Sequence, residues 1–291
     1  MQGFLDIFDI YVLEAVINGI MLGGVLALLA LGLNLIFGVI DVTWICYAEL
    51  VMIGMYAMYF LVQYFGLPYY AAAPLTILLV AALGALLHLL VIAPLLTAPP
   101  INQLLATGGV LFILQSFATV AFGIDFRNLG IRLPVLAIGE MHFSYSRLLA
   151  FVAALLGMLA IYFFMKRTYT GTAIRAVAQD EEGLRLMGAN PVRIKQFAFG
   201  IATAVLGIAG ALLIIVAPVD PTLDRLYIGR TFCVVVMAGL GSITGTLIAS
   251  IILGVAETIV LTMFGASWAP AISFALLLGV LAVRPQGLFG R

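Results

Sequence analysis

Chemistry in this sequence could come from ionisable and polar side chains set inside apolar runs. Glu257 falls near the middle of the apolar stretch 248–264, Asn34 is central in 12–37, and Tyr47 and Glu49 lie near one end of 45–65. A charge at the centre of a bilayer costs about 3 kcal/mol on insertion scales, so each such residue is a functional candidate. Glu257 could hydrogen-bond a neighbouring helix as a protonated acid, or line a path. Asn34 could likewise bond between helices or line a path. Glu49 sits close enough to the rim to reach water and is expected as a polar cap. His88, alone in an apolar helix, is expected as a paired core histidine.

No familiar catalytic set is present. The sequence lacks G-x-x-x-x-G-K-[ST], H-E-x-x-H and G-x-S-x-G, and has no pair of intramembrane aspartates. Hydrolysis of ATP by this chain is therefore not expected, nor is any cofactor of its own. Cys46 and Cys233 lie far apart, with only His88 and His142 available to join them. A zinc site needs four ligands, and the expectation is two small packing residues and no metal.

The elements that must hold these groups follow from composition. Of 291 residues, 65% are hydrophobic and 9% charged, with a mean hydropathy of +1.24. A soluble domain carries roughly a quarter charged residues, so a soluble enzyme, a nucleic-acid binder and a disordered chain are excluded. An all-α polytopic protein in a lipid bilayer remains, because only helices satisfy their backbone there. Spans of about 20 residues fit at 12–37, 45–65, 69–93, 102–123, 145–165, 197–217, 230–247, 248–264 and 267–283. The seventh and eighth are one apolar stretch divided at the glycine-rich turn Gly239–Gly245. Eight spans with one re-entrant piece is the competing count, and the whole reads as a single domain, 1–291. The segment Gly19–Gly23 matches G-x-x-x-G, a close-packing pattern between membrane helices.

Charge sets the orientation. Lys166, Arg167, Arg175, Arg185, Arg193 and Lys195 are six of the thirteen basic residues, which makes 166–196 cytoplasmic. Arg284 and Arg291 put the C-terminus on the same side, and counting back puts the acidic N-terminus outside. The loop 124–144, with Arg127 and Arg132 against Asp125 and Glu140, is expected outside. No signal peptide is expected, the first helix acting as its own insertion signal.

The segment 166–196 has its own grammar. Thr172 is a plausible N-cap, and Ile174, Val177, Leu184 and Met187 fall near one helical face with Glu181. Gly188 is placed as a stop, and Asn190-Pro191 starts a second helix running into the next span. Two capped helices around a fixed turn suit a rigid docking element as well as a solvated connector.

These residues carry a resemblance. Gly171-Thr172-Ala173-Ile174-Arg175-Ala176-Val177-Ala178-Gln179-Asp180, followed by Leu186–Arg193, resembles the coupling loop of permeases in branched-chain amino acid ABC importers, G-x-A-x-R-A-x-A-x-D and L-G-I-N. Asn18-Gly19-Ile20, the Ala27–Gly38 run and Glu49–Gly54 resemble that family's early motifs. Ala238–Gly245 is similar to its G-G-x-G-S-x-x-G, and Arg284–Gly290 to its terminal R-P-x-G-L-x-G. The chain most resembles the smaller, H-type subunit. The resemblance implies a non-catalytic half-channel with a second homologous permease, two cytoplasmic ATPase subunits that use the ATP, and a periplasmic solute-binding protein. It implies ATPase coupling through Gly171, Arg175, Asp180, Glu181, Arg185, Gly188, Asn190 and Arg193. The path candidates are Asn34, Tyr47, Glu49 and Glu257.

Two departures matter. Tyr47-Ala48 stand where the family often has His-Gly, and His88–Leu96 carries none of the arginines of its E-R-x-x-x-R-P-L-R. The solute default is a branched-chain or similar small amino acid. Urea, short amides and other amino acids are the alternatives within the family, and a self-sufficient secondary transporter coupled through Glu257 or Glu49 is the alternative outside it.

Overall fold

The computed structural model describes residues 2–290 except 41, 43, 97, 131–134, 139–140 and 223, with the backbone alone for 2–10, 135–138, 141–143 and 224–226. Arg132, Glu140 and Arg291, used above to read orientation, lie outside the described residues, as do the side chains of Asp6, Asp9 and His142.

Helices α1 (Gln2–Ile40), α2 (Tyr47–Gln63) and α3 (Tyr69–Leu87) come first. A π turn (His88–Ile92) then leads into the short α4 (Ala93–Leu95). Pro94 lacks an N–H and would crowd the carbonyl four residues back. The wider turn just before it moves that carbonyl aside. Next come α5 (Pro100–Phe122), an antiparallel hairpin of β1 (Val135–Ile138) and β2 (Met141–Ser144), and α6 (Tyr145–Arg167). The charged segment forms α7 (Tyr169–Gln179) and α8 (Glu181–Leu186). The chain closes with α9 (Pro191–Val216), α10 (Asp224–Ala238), α11 (Ile243–Phe264) and α12 (Ala269–Val283).

Among the described residues seven helices are long and apolar enough to cross a membrane, and α2 and α10 are shorter apolar helices. The expected split of 230–247 from 248–264 is corrected. The break lies at 239–242, where Gly239 (φ 89°) and Gly241 (φ 80°) take left-handed backbone that other residues rarely adopt. Ser242 then caps α11, its Oγ accepting from Gly245 N at 3.1 Å.

Close approach orders the bundle. In lipid, helices gain little from the hydrophobic effect and associate by packing, which favours small residues at their seams. The Gly19–Gly23 pattern lies against α11: a Cβ on Gly19 would stand 2.5 Å from Val255 Cα, one on Gly23 2.8 Å from Ile251 Cα, and one on Gly38 2.7 Å from Gly241 Cα. So α1 and α11 are antiparallel and nearly in backbone contact. On the other side, α9 runs antiparallel to α3, with Tyr69 Oη donating to Ala211 O at 2.6 Å at one end and His88 against Phe199 at the other. Helices α1 and α9 form the buried columns of the bundle, their most apolar 18-residue windows 83% and 67% buried.

Arg147 Nη1 donates to Asn18 Oδ1 at 3.3 Å, and Gly24 faces Phe151 while Gly157 faces Leu28, so α6 starts partway along α1 and runs with it toward α7. Leu288 N and Phe289 N donate to Met237 O and Ala238 O at 2.7 and 3.1 Å, which fixes the C-terminal segment at the α7–α8 end. The start of α1 lies at the opposite end. Two quartets result, α1-α2-α3-α5 and α9-α10-α11-α12, running in opposite senses on either side of α6. Their packing corresponds: α1 lies on α11 as α9 lies on α3, and α2 lies on α3 as α10 lies on α11. This is the pattern of an inverted repeat, with the short helix second in each half.

Candidate functional site: a coupling element and a buried polar layer

At one end of the bundle the charged segment is built as a rigid projection. The N-cap of α7 is Thr168, not Thr172: its Oγ1 accepts from Gly171 N at 3.0 Å, so the helix starts four residues earlier than expected. Gly171 is required there, since a Cβ would stand 2.5 Å from Phe164 O. The expected single helix is interrupted at Asp180, whose Oδ1 accepts from Gly183 N at 2.9 Å and caps α8. That break rotates the apolar face. Ile174 and Val177 are buried against the bundle, whereas Leu186 and Met187 are 91% and 84% exposed. Gly188 turns the chain at φ 81°, and Asn190 Oδ1 accepts from Val192 N and Arg193 N at 3.1 and 3.4 Å.

Glu181 ties the projection to α9. Arg185 Nη2 donates to its Oε1 at 2.9 Å and Lys195 Nζ to its Oε2 at 2.7 Å. The bond from Lys195 holds this carboxyl below the usual carboxylate range, desolvation opposing it more weakly. A depressed acid contributes stability that is present above about pH 4.3 and lost as pH falls through its folded value, so the tie is intact at neutral pH. Arg175 and Arg193 remain exposed.

The path candidates from the sequence do not form one cluster. Asn34 is saturated: its Nδ2 donates to Thr246 Oγ1 at 2.7 Å and Ser242 O at 3.2 Å, and its Oδ1 accepts from Gly241 N at 2.7 Å. It therefore clasps the α10–α11 turn, and its loss would leave the Gly241 N–H without its acceptor, and Thr246 Oγ1 and Ser242 O without this donor, at about 1–3 kcal/mol for each group left unsatisfied. Tyr47 Oη donates to Ile228 O at 2.7 Å, joining the start of α2 to α10. Glu49 is 0% exposed, so its expected access to water is corrected. Just before α2, Val42, Trp44 and Cys46 are buried, with Trp44 edge-on to Phe199 at 5.2 Å. An acid in the first helical turn is favoured there by the helix dipole. His88, expected to be paired, packs on Phe199 at 5.3 Å, and neither ring nitrogen has a hydrogen-bond partner among the described residues. Cys46 and Cys233 are buried and free.

Glu257 is different. Its Oε1 lies 3.1 Å from Arg230 Nε and accepts from Ser273 Oγ, so α10, α11 and α12 meet at one carboxylate. Besides a hydrogen bond across helices, from Ser273, Glu257 carries an ion pair with Arg230. Sequence reasoning missed Arg230 and Ser273. Arg230 opens the expected segment 230–247, but nothing in its spacing reveals a partner 27 positions on.

The model of the branched-chain amino acid transport system permease component family matches residues 15–281. The chain belongs to that family. Curated permease relatives agree with the match along its length. BraD of Pseudomonas aeruginosa, named a high-affinity branched-chain amino acid transport system permease protein, is 28% identical over 96% of both chains. LivH of Escherichia coli K12, named likewise, is 28% identical over 97% of this chain and 96% of its own. LivM of the same organism is 29% identical over 90% of this chain but only 67% of its own, so this permease spans the smaller relatives nearly whole. A structure described as a metal-chelate type ABC transporter in an inward-facing conformation aligns over 98% of this chain and 91% of that one, with a TM-score of 0.48 and 14% identity. The chain is a multi-pass inner-membrane permease component of an ABC transport system.

Proposed function

We propose that this permease is the non-catalytic H-type half of the channel in a binding-protein-dependent importer of branched-chain or similar small amino acids. A second homologous permease completes the channel, a periplasmic binding protein delivers the solute, and two cytoplasmic ATPase subunits consume the ATP. The observation that carries this reading is the α7–α8 projection: capped three times, tied to α9 through Glu181, and ending in apolar side chains exposed at the bundle's end. Exposed Leu186 and Met187 beside exposed arginines suit a groove on a soluble partner, since aqueous solvent alone would not favour them. Gly171, Arg175, Asp180, Glu181, Arg185, Gly188, Asn190 and Arg193 build or flank that surface.

Reconstitution with the partner subunits should give leucine uptake that requires ATP and the binding protein. Uptake by the permease alone, driven by a proton gradient, would identify a secondary transporter instead. The six basic residues place the projection in the cytoplasm, and the fold puts the start of α1 at the other end. Reporters fused at the two termini should therefore report opposite sides of the membrane, and the same side for both would refute this orientation.

A further inference from the structure

The Arg230–Glu257 pair leaves its polar capacity half used. An arginine has five N–H donors, and here Nε stands 3.1 Å from Glu257 Oε1 as an ion pair without a hydrogen bond between them. No hydrogen bond or ion pair to Nη1 or Nη2 is made by the described residues. Glu257 Oε2 is buried and likewise without a hydrogen-bond partner among them. Glu257 lies 14 residues after Ile243, the first residue of α11, a rise of about 21 Å within a hydrocarbon layer about 30 Å thick. Free guanidinium donors at that depth cannot be left facing acyl chains without large cost. The side chain of Arg230 is 16% exposed and that of Glu257 3%, so the guanidinium is the more open of the two groups.

We propose that Arg230 and Glu257 form the head-group site for the zwitterion in transit: the free fork of Arg230 takes the solute carboxylate, and Oε2 of Glu257 takes its ammonium. The assignment rests on the amino-acid reading of the solute given above. A planar guanidinium matches a carboxylate with two parallel hydrogen bonds. A paired acid and base present no net charge to an empty path, so the site attracts neither free anions nor free cations strongly. The solute has to share each partner with the existing ion pair, which keeps the hold weak enough for release, as conduction through a pathway requires. Ser273 Oγ, donating to Oε1, leaves Oε2 as the oxygen without a hydrogen-bond partner among the described residues.

The test uses the complete reconstituted complex and reads leucine moved per ATP hydrolysed. Arg230→Gln/Glu257→Gln removes both charges together, so no uncompensated charge is left buried. It should assemble with an unchanged melting temperature yet move at least tenfold less leucine per ATP. Arg230→Lys, which keeps the charge, should retain the ratio within threefold. A wild-type ratio in the double variant would overturn the assignment. So would loss of co-purification of the two permease subunits, which would give the guanidinium to a subunit interface. Should the double variant fail to fold, so that no permease is recovered, wild-type protein decides: carboxyl-13C leucine should show a solid-state dipolar coupling to guanidinium-15N arginine that vanishes in Arg230→Lys, and its absence in wild type would also refute the site. A wild-type complex that moves a neutral amide but no amino acid would overturn the solute reading and this site together. Leucine transport unaffected by the variants would overturn the site alone.

Discussion

Reversing Arg175 and Arg185 to Glu should lower solute-stimulated ATP hydrolysis in the assembled complex at least tenfold, about 1.4 kcal/mol of docking free energy. Both side chains are exposed on the α7–α8 projection, so the permease itself should keep its melting temperature. The two positions differ in a useful way. Arg185 also pairs with Glu181, and its reversal sets two acids side by side, whereas Arg175 makes no ion pair among the described residues. Leu186→Asp/Met187→Asp gives an independent arm, because these side chains are almost fully exposed and lose no internal packing. It should uncouple as strongly as the arginine pair. Normal stimulated hydrolysis in both double variants would rule the projection out as the ATPase contact.

The largest effect on stability is expected at the α1–α11 seam. A Cβ on Gly254 would stand 2.5 Å from Gly19 O and 2.7 Å from Gly23 N, so backbone meets backbone on both sides and no flexible side chain can give way. Overpacking in a core costs about 1–3 kcal/mol where neighbours can adjust. Gly254→Leu should exceed about 3 kcal/mol and abolish a cooperative melting transition in detergent. Gly108 on α5 is the control. A Cβ there meets nothing within 4 Å, and Gly108→Ala should be neutral or stabilising by up to about 1 kcal/mol, the helix-propensity difference. Equal melting curves for the two variants would contradict the seam.

Some of this architecture was legible in the sequence because its cause is local. Apolar length marks the helices, and positive charge marks 166–196. Asn190-Pro191 marks the start of α9 because capping and proline act within one turn. Thr168 was not legible as the first cap: Thr172 looks equally suitable, and what decides is the fit of Gly171 against Phe164 O and Met165 Cα, a tertiary contact. Leu184 and Met187 fit the periodicity of α7 only if the helix continues through Asp180, and a capping bond to Gly183 N ends it there. The polar layer was legible as a set of residues but not as pairs. Asn34 reaches a turn more than 200 residues away, and Glu257 meets Arg230 only because α10 and α11 fold back on each other. Periodicity carries no information about such partners.

The seam between α1 and α11 also sets a timetable for biogenesis. Gly19 and Gly254 are neighbours in space but are made far apart in time, since 235 residues of synthesis at about 5–20 residues per second take roughly 12–47 seconds. Through that interval α1 has entered the bilayer without the surface that will bury its glycine stripe. Until α6 and α9 pack beside it, its apolarity, a hydropathy of 2.4 over its most apolar stretch, must hold it across the membrane. Helix α1 is thus made before the other helices described and is among the last to find its principal neighbour, and a ribosome that stalls before α11 leaves a chain whose central column is still open to lipid on that face.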